Sequence, residues 1–538
     1  MNELLILAAI ATPLLSMPLV FFAGRRWLPA IATVPALLAG LLVPEGVVVS
    51  LPWLLLGAYL QLDGIAVLLL PATAFVWLFV AAWAATREAD RLDDPAFRLF
   101  FLAAMSGNFL VILAADMVSF YIGFAMMGLA AYPLLLRPGQ QARFSARIYL
   151  AFTLVGELAL FAGMVGLYAA SGSLLFSDLG ATPVPGITLA LLLIGFGIKV
   201  ALPGLHFWLP LAYGTAPIIT VAVLSGPMMK AGLLGWLRFL PAEADGLMEW
   251  GPVLMLLGAA GLVLGVWLGL VQREPRAVLA YSSIAKMGLI TALFGGALKS
   301  PAEAAPVAAA LVLFAMHHLL VKSALFLGVG EWEKRGRARW VMAGLGLLAL
   351  TMIGAPLTGG ALVKQGLGTA IAGDFGVLSA LLTLSAIGTA LLMARFMWLL
   401  TRKVVRPTLT DSIPAAAWLV LLPVAFLGPF TPFVITLEVA GMLPLGVFLL
   451  GLAGMSWLNA RWPGLWARGR SGDALTALNR VLQHARRRLP TPQIQYGRLQ
   501  VALIRPETLP APQGTLAGPG LLWLALFLGL LAATLLPH

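Results

Sequence analysis

The chain has 538 residues, 61% of them hydrophobic and only 10% charged, and its mean hydropathy is +0.97. Soluble domains carry about a quarter charged residues, so this composition excludes an ordinary soluble enzyme and fits a polytopic membrane protein. The net charge of +12 would suggest a nucleic-acid partner in a soluble protein; here basic loops on one membrane face account for it, and no nucleic acid is expected. With no cysteine, the chain carries no thiolate-held iron–sulfur cluster, c-type haem or disulfide. No glycine-rich phosphate motif follows a strand-like run, so no nucleotide or other cofactor is expected.

Windows of about twenty residues, enough to cross ~30 Å of hydrocarbon, divide the chain into about sixteen spans. Their centres fall near residues 13, 36, 75, 106, 127, 158, 194, 229, 260, 288, 316, 355, 389, 424, 448 and 528. The first, residues 4–23, lacks the basic start and small-residue cleavage site of a signal peptide and reads as a span. Exits from odd-numbered spans carry Arg25 and Arg26, Arg87, Arg91 and Arg98, Arg137, Arg143 and Arg147, Arg273 and Arg276, then Lys334 to Arg339 and Arg402 to Arg406. Exits from even-numbered spans are nearly free of basic residues, Arg238 and Lys299 excepted; the loop after span 7, with none, is the one gap in the pattern. The positive-inside rule then puts odd exits in the cytoplasm and both termini on the far side of a cell (inner) membrane.

Residues 1–98 hold spans 1–3, 99–240 spans 4–8, 250–403 spans 9–13 and 414–457 spans 14–15. A more polar cytoplasmic segment, 458–518, precedes a last span at 519–538. Within it, 474–489 repeats Leu475, Leu478, Leu482 and Leu489 against four arginines, an amphipathic helix for the membrane surface or a partner.

A charge at mid-bilayer costs about 2.5–3.5 kcal/mol even on the lenient insertion scale, so each one needs a reason. Glu157 lies in span 6, Lys199 in span 7, Lys230 in span 8 and Lys286 in span 10. His317, His318 and Lys322 lie in span 11, Lys364 in span 12 and Arg395 in span 13. Lys286 and Arg395, which fall near span ends, read equally well as relay residues or as snorkelling or ion-paired side chains. The others are too many for that reading. Lysine changes charge readily on burial and histidine does so near neutral pH, which suits both to passing protons. His318 and Lys322, four apart, share a helix face.

Pro203 with Gly204 breaks span 7, and Pro356 among Gly354, Gly359 and Gly360 breaks span 12. Broken helices beside charges mark ion sites in transporters, often duplicated in inverted repeats. Spans 7 and 12 are five apart, which fits two inverted five-helix repeats, spans 4–8 and 9–13. No metal-ligand spacing appears, and the adjacent His317 and His318 point about 100° apart on a helix, a poor haem or zinc pair.

The segment "KVALPGLHFWLPLAYGTAPIITVAVLSGPMMKAGLLGWLRF" (199–239) resembles the lysine–LP–LH–WLP segment of the antiporter-like subunits of respiratory complex I. The same family includes membrane subunits of group 4 hydrogenases and of multisubunit cation/proton antiporters. "LAYSSIAKMG", "HLLVKSALFLGVG", "GAPLTGGALVKQ", "LQLDGIAVLLL" and "ADMVSFYIGFAMMGLAAYPLLL" resemble further motifs of that family, in order, over residues ~60–370. The resemblance implies a proton half-channel in each repeat. Lys199 is then the span 7 lysine, Lys230 the span 8 connector, His318 with Lys322 the span 11 pair, Lys364 the exit residue and Glu157 the span 6 acid. Lys286, His317, Arg395 and Asp116 are possible accessories. The tail with its amphipathic segment is similar to that of the largest of the complex I antiporter-like subunits, though far shorter. Two positions depart: the span 5 glutamate that pairs with the span 7 lysine falls on Ala125, and the aspartate after W-L-P on Leu211.

The reading is a proton-translocating membrane subunit of a larger energy-coupling complex, with no redox or hydrolytic site of its own and with protons, lipid and other subunits as partners. One alternative is the membrane half of an inorganic-carbon uptake system with a soluble zinc partner. Another, of a different class, is a stand-alone solute permease or cation/proton antiporter.

Overall fold

The computed structural model describes residues 1–462 apart from 23, 138, 181, 243–245, 372–375, 410–414 and 429–441. The amphipathic segment expected at 474–489 and the span expected near 528 lie outside the described residues. The chain begins with α1 (Asn2–Leu15), α2 (Leu28–Ala32) and α3 (Val34–Leu42), then a hairpin of β1 (Val48–Leu51) and β2 (Ala58–Gln61) in which Val48 pairs with Gln61. It continues through α4 (Ala66–Arg87), α5 (Ala89–Asp93), α6 (Pro95–Leu113), α7 (Met117–Leu135) and α8 (Gln140–Ser171). Next come α9 (Gly186–Lys199), α10 (Trp208–Thr215), α11 (Ile218–Val223), α12 (Met229–Phe239), α13 (Gly251–Leu270) and α14 (Pro275–Lys299). The last are α15 (Ala304–Arg335), α16 (Arg339–Ile353), α17 (Gly359–Ala370), α18 (Gly376–Arg402), α19 (Ala416–Leu427) and α20 (Met442–Arg461).

Among the described residues, eleven helices are long and apolar enough to cross a membrane; α4, with 22 residues, is one. Four shorter apolar helices accompany them, Leu28–Leu42, Gly186–Lys199, Arg339–Ile353 and Ala416–Leu427. With no hydrophobic drive between helices in lipid, close backbone approach does the packing. A Cβ at Gly288 of α14 would lie 2.4 Å from the Leu262 nitrogen of α13, so these helices meet backbone to backbone. The middle of α14 and of α15 is buried all round, whereas α8 and α13 each leave an apolar face exposed, as Leu158 and Leu256 do. Charges on α14 and α15 therefore face protein, not lipid.

Three irregularities interrupt the helices. After α9, Ala201 and Gly204 take positive φ (59° and 84°) and Pro203 supplies no N–H. The freed carbonyl ends find partners: Leu202 N donates to Gly197 O and Trp208 Nε1 to Ile198 O, both at 2.9 Å. After α16, Gly354 (φ 72°) turns the chain, Pro356 stops it and Thr358 caps α17 by accepting from Ala361 N. The third has no counterpart in the sequence reading. Between α11 and α12 the residues Leu224–Met228, with Pro227 among them, form a wider π-type turn.

Several ionic residues serve as staples. Glu331, fully buried on α15, accepts from Trp83 Nε1 (2.7 Å), Arg87 Nε (3.2 Å) and Arg335 Nη1 (2.6 Å), fastening α15 to α4. Glu88 accepts from the amides of Ile218 and Ile219 at 3.2 and 3.1 Å, satisfying the start of α11. Arg238 donates to Asp63 at 3.0 Å and to Ile112 O at 2.7 Å.

Candidate functional site

Lys199 is the last residue of α9, delivered to the break that Pro203 and Gly204 create, and it is buried. Its ammonium lies over the rings of Phe124 of α7 (5.5 Å) and Tyr149 of α8 (5.9 Å). Glu157, midway along α8, faces the same place and attracts it electrostatically. Among the described residues neither carboxylate oxygen of Glu157 has a hydrogen-bond partner. A Cβ at Gly128 would lie 3.1 Å from Glu157 Oε1 and 4.0 Å from Lys199 Nζ, so both side chains converge on that glycine of α7. Ala125, one turn earlier on α7, offers no carboxylate. A buried acid and base so arranged can share one proton, as a neutral pair or an ion pair.

The π-type turn shapes the next position. The carbonyl of Ser225, within that turn, accepts from Lys230 Nζ at 3.0 Å. Lys199 packs close by, since a Cβ at Gly232 of α12 would lie 3.1 Å from the Lys199 Cβ. Lys230 in turn interacts electrostatically with His318 and Lys322 of α15. Lys322 donates to the Leu279 carbonyl of α14 at 2.8 Å, and Ser323 to the Ala222 carbonyl of α11 at 2.8 Å, so α15 is locked against both neighbours.

Beyond this point lies a cavity of about 30 Å³, room for about two water molecules. Lys286, His317, His318, Thr351, Gly360 and Lys364 are among the residues lining it. Lys286 acts electrostatically on His317, His318 and Lys322, and Lys364 on Lys286. His317 Nε2 lies 3.1 Å from Thr351 Oγ1, which accepts from the Gly360 amide at 3.2 Å and donates to Phe426 O at 3.2 Å. His318 stacks on Phe314, and among the described residues neither of its ring nitrogens is hydrogen-bonded. Thr351, Gly354 and Gly360, at the break between α16 and α17, thus line the cavity.

Not every candidate belongs here. Lys286 is mid-helix in α14, not near a span end, in keeping with the window centre near 288, and joins the cluster. Arg395, on α18, donates from Nε (3.1 Å) and Nη2 (2.8 Å) to the Gln272 carbonyl and lies over Trp398, a clamp apart from the cavity. Asp116 caps α7 by accepting from Ser119 N at 2.7 Å and holds Tyr59 N of β2 at 2.9 Å, also apart. His206, given no role by sequence, is buried in the α9–α10 break. Among those residues no three His, Asp or Glu side chains gather as a metal site needs.

Interrupted membrane helices with buried basic side chains beside the breaks define a class of polytopic α-helical membrane proteins. The chain belongs to the family described as NADH:quinone oxidoreductase/Mrp antiporter, TM, whose model matches residues 114–388. It is 32% identical over 327 residues to an uncharacterized protein of Mycobacterium tuberculosis (strain ATCC 25618 / H37Rv), covering 57% of this chain and 48% of that one. It is 30% identical over 336 residues to a probable K(+)/H(+) antiporter protein of Rhizobium meliloti (strain 1021), covering 58% of this chain and 33% of that one. The chain thus spans about half, or a third, of the length of these curated relatives. In the structure of the Mrp complex from Dietzia sp. DQ12-45-1b, a chain superposes with a TM-score of 0.71 at 20% identity, covering 90% of this chain and 59% of that one. That likeness is one of fold.

Proposed function

We propose that the chain is a proton-conducting, antiporter-like membrane subunit of a larger energy-coupling complex, NADH:quinone oxidoreductase-like or related. The observation that carries this reading is the water-sized cavity shared by Lys286, His317, His318 and Lys364, electrostatically continuous with Lys322 and Lys230. Protons enter at Lys199 and Glu157, pass Lys230, His318 and Lys322, and leave by Lys286 and Lys364. Each step proceeds because a charge on one group alters its neighbour's proton affinity. The named function of the Rhizobium relative and the fold of the Mrp-complex chain support it. Two inverted five-helix repeats within sixteen spans, both termini outside the inner membrane, and a soluble or peripheral partner protein complete the proposal.

One observation favours a second reading within the same family. Ala125 and Leu211 stand where carboxylates are expected, which sets this chain apart from the orthodox respiratory members. It fits a proton-gradient-powered inorganic-carbon uptake complex with a soluble zinc partner. Identifying the soluble protein that co-purifies separates the two: a flavin and iron–sulfur module favours the first, a zinc protein the second. A stand-alone solute permease is disfavoured by the buried charges running through several helices, far beyond any one substrate cavity.

The relay is tested by reconstituting the complex in vesicles and comparing proton flux for the wild type, Lys199→Ala and Lys364→Ala. Loss in both is expected. Wild-type flux in both variants would sink the relay.

A further inference from the structure

The Glu157–Lys199 site has a third member that carries no chemistry of its own. The Cβ position of Gly128 is 3.1 Å from Glu157 Oε1, 3.2 Å from Thr153 Cγ2 and 4.0 Å from Lys199 Nζ. Any side chain there would crowd the carboxylate and touch the ammonium. The backbone at this point is held: Tyr149 donates its hydroxyl to the Gly128 carbonyl at 2.9 Å, and the Tyr149 ring meets Trp208 edge-on at 5.3 Å. Trp208 Nε1 in turn donates to Ile198 O, next to Lys199. One chain of contacts therefore fixes Gly128 of α7 relative to the end of α9.

We propose that Gly128 is a positioning residue for proton exchange between Glu157 and Lys199, and that the space beside its Cα is where carboxylate and ammonium close to contact. In the exchange an N–H bond of the Lys199 ammonium breaks, the electron pair stays on Nζ, and the proton forms an O–H bond on Glu157. The reverse step returns it, and no other reactant is needed. Gly128 accounts for how an acid on α8 serves Lys199 when α7 presents Ala125: carboxylate and ammonium both lie against α7 where that helix has no side chain. The inference rests on the relay proposed above.

The test moves the carboxylate onto α7, in the assembled complex reconstituted in vesicles. A carboxylate borne by position 128 starts 4.0 Å from Lys199 Nζ at its Cβ and so reaches the ammonium unaided. Glu157→Gln should lower proton flux about a hundredfold, the usual scale for losing a positioned proton donor. Gly128→Asp with Glu157→Gln should recover at least about tenfold of that loss, whereas the isosteric Gly128→Asn with Glu157→Gln should recover none. A packing role alone would treat Asp and Asn alike, so equal flux in the two doubles overturns the proposal. Gly128→Ala with Glu157 in place is the second measurement: reduced flux with a displaced pH profile is expected, and wild-type flux and profile overturn the proposal even if the doubles fail to assemble. If Lys199→Ala keeps wild-type flux, the relay itself fails. If Lys199→Ala and Glu157→Gln lose flux while Gly128→Ala does not and the doubles match, only Gly128's role fails.

Discussion

The Lys322 ammonium donates to the main-chain carbonyl of Leu279 at 2.8 Å, and among the described residues its electrostatic neighbours are Lys230 and Lys286, with no carboxylate. Ser283 Oγ donates to the same carbonyl at 3.3 Å. A residue held this way contributes little to stability, because replacing a buried charge by an apolar group of similar volume is commonly neutral or stabilising. In the proposed relay it carries protons. Lys322→Met should therefore lower proton flux about a hundredfold. The thermal unfolding of the same variant should stay at or above the wild-type midpoint. Flux at the wild-type level would remove Lys322 from the path.

Glu331 is the opposite case. Its buried carboxylate ties together Trp83, Arg87 and Arg335, and none of these belongs to the cavity. Removing one member of a buried ionic cluster leaves the others uncompensated and costs about 3–5 kcal/mol. Glu331→Ala should lower the unfolding midpoint and the yield of assembled protein, yet flux per assembled molecule should hold. Glu331→Gln, which keeps an acceptor for the Trp83 indole, should fall between.

Asp116 supplies a related contrast. Its carboxylate caps α7 and anchors β2, and neither of these partners belongs to the proposed relay. Asp116→Ala should cost about 0.5–2 kcal/mol through the lost cap. Flux should not change once protein amounts are matched; a selective loss of flux would give Asp116 a part in conduction.

Much of this arrangement is legible in the sequence because membrane burial makes charges conspicuous. Lys199, Lys230, Lys322 and Lys364 stand out from apolar runs, and proline with glycine marks the breaks after α9 and α16. Ala125 signals that Lys199 needs another acid, and Glu157 is the one that faces it. What sequence lacks is direction. The window centred near 288 already places Lys286 mid-span, as it is in α14, but does not say which groups it meets there. Nothing in "SGPMMK" distinguishes a π-type turn from a kink, yet that turn supplies the carbonyl for Lys230. Arg395 and Asp116 look like their neighbours in composition; only their main-chain partners reveal them as staples.

Two glycines of α17 separate packing from propensity. A Cβ at Gly360 would fall 1.8 Å from the Thr351 carbonyl oxygen, a backbone atom that cannot yield without moving α16 against α17. Gly360→Ala should cost at least about 1–3 kcal/mol by overpacking and disturb the cavity as well. At Gly366, six residues on, no atom lies within 4 Å of the Cβ position. Gly366→Ala should be neutral or stabilising by up to about 1 kcal/mol through helix propensity. Unfolding midpoints of the two variants check the sign of each.

The cavity itself can be tested without touching any titratable group. Ala386, buried on α18, lines it beside Lys286 and Lys364, and its methyl leaves the space where about two waters fit. Ala386→Leu adds three carbons, more than 30 Å³ of cavity can accept alongside water. Every lysine and histidine of the site remains, so a loss of flux would report the loss of water between them and not the loss of a proton carrier. Proton flux should fall at least about tenfold, since transfer between side chains that are not in direct contact needs an intervening water. Overpacking sets the stability change at about 1–3 kcal/mol, and Ala386→Ser, which keeps the volume, should conduct as the wild type does. Full flux in the Leu variant would mean that protons cross this region by another path.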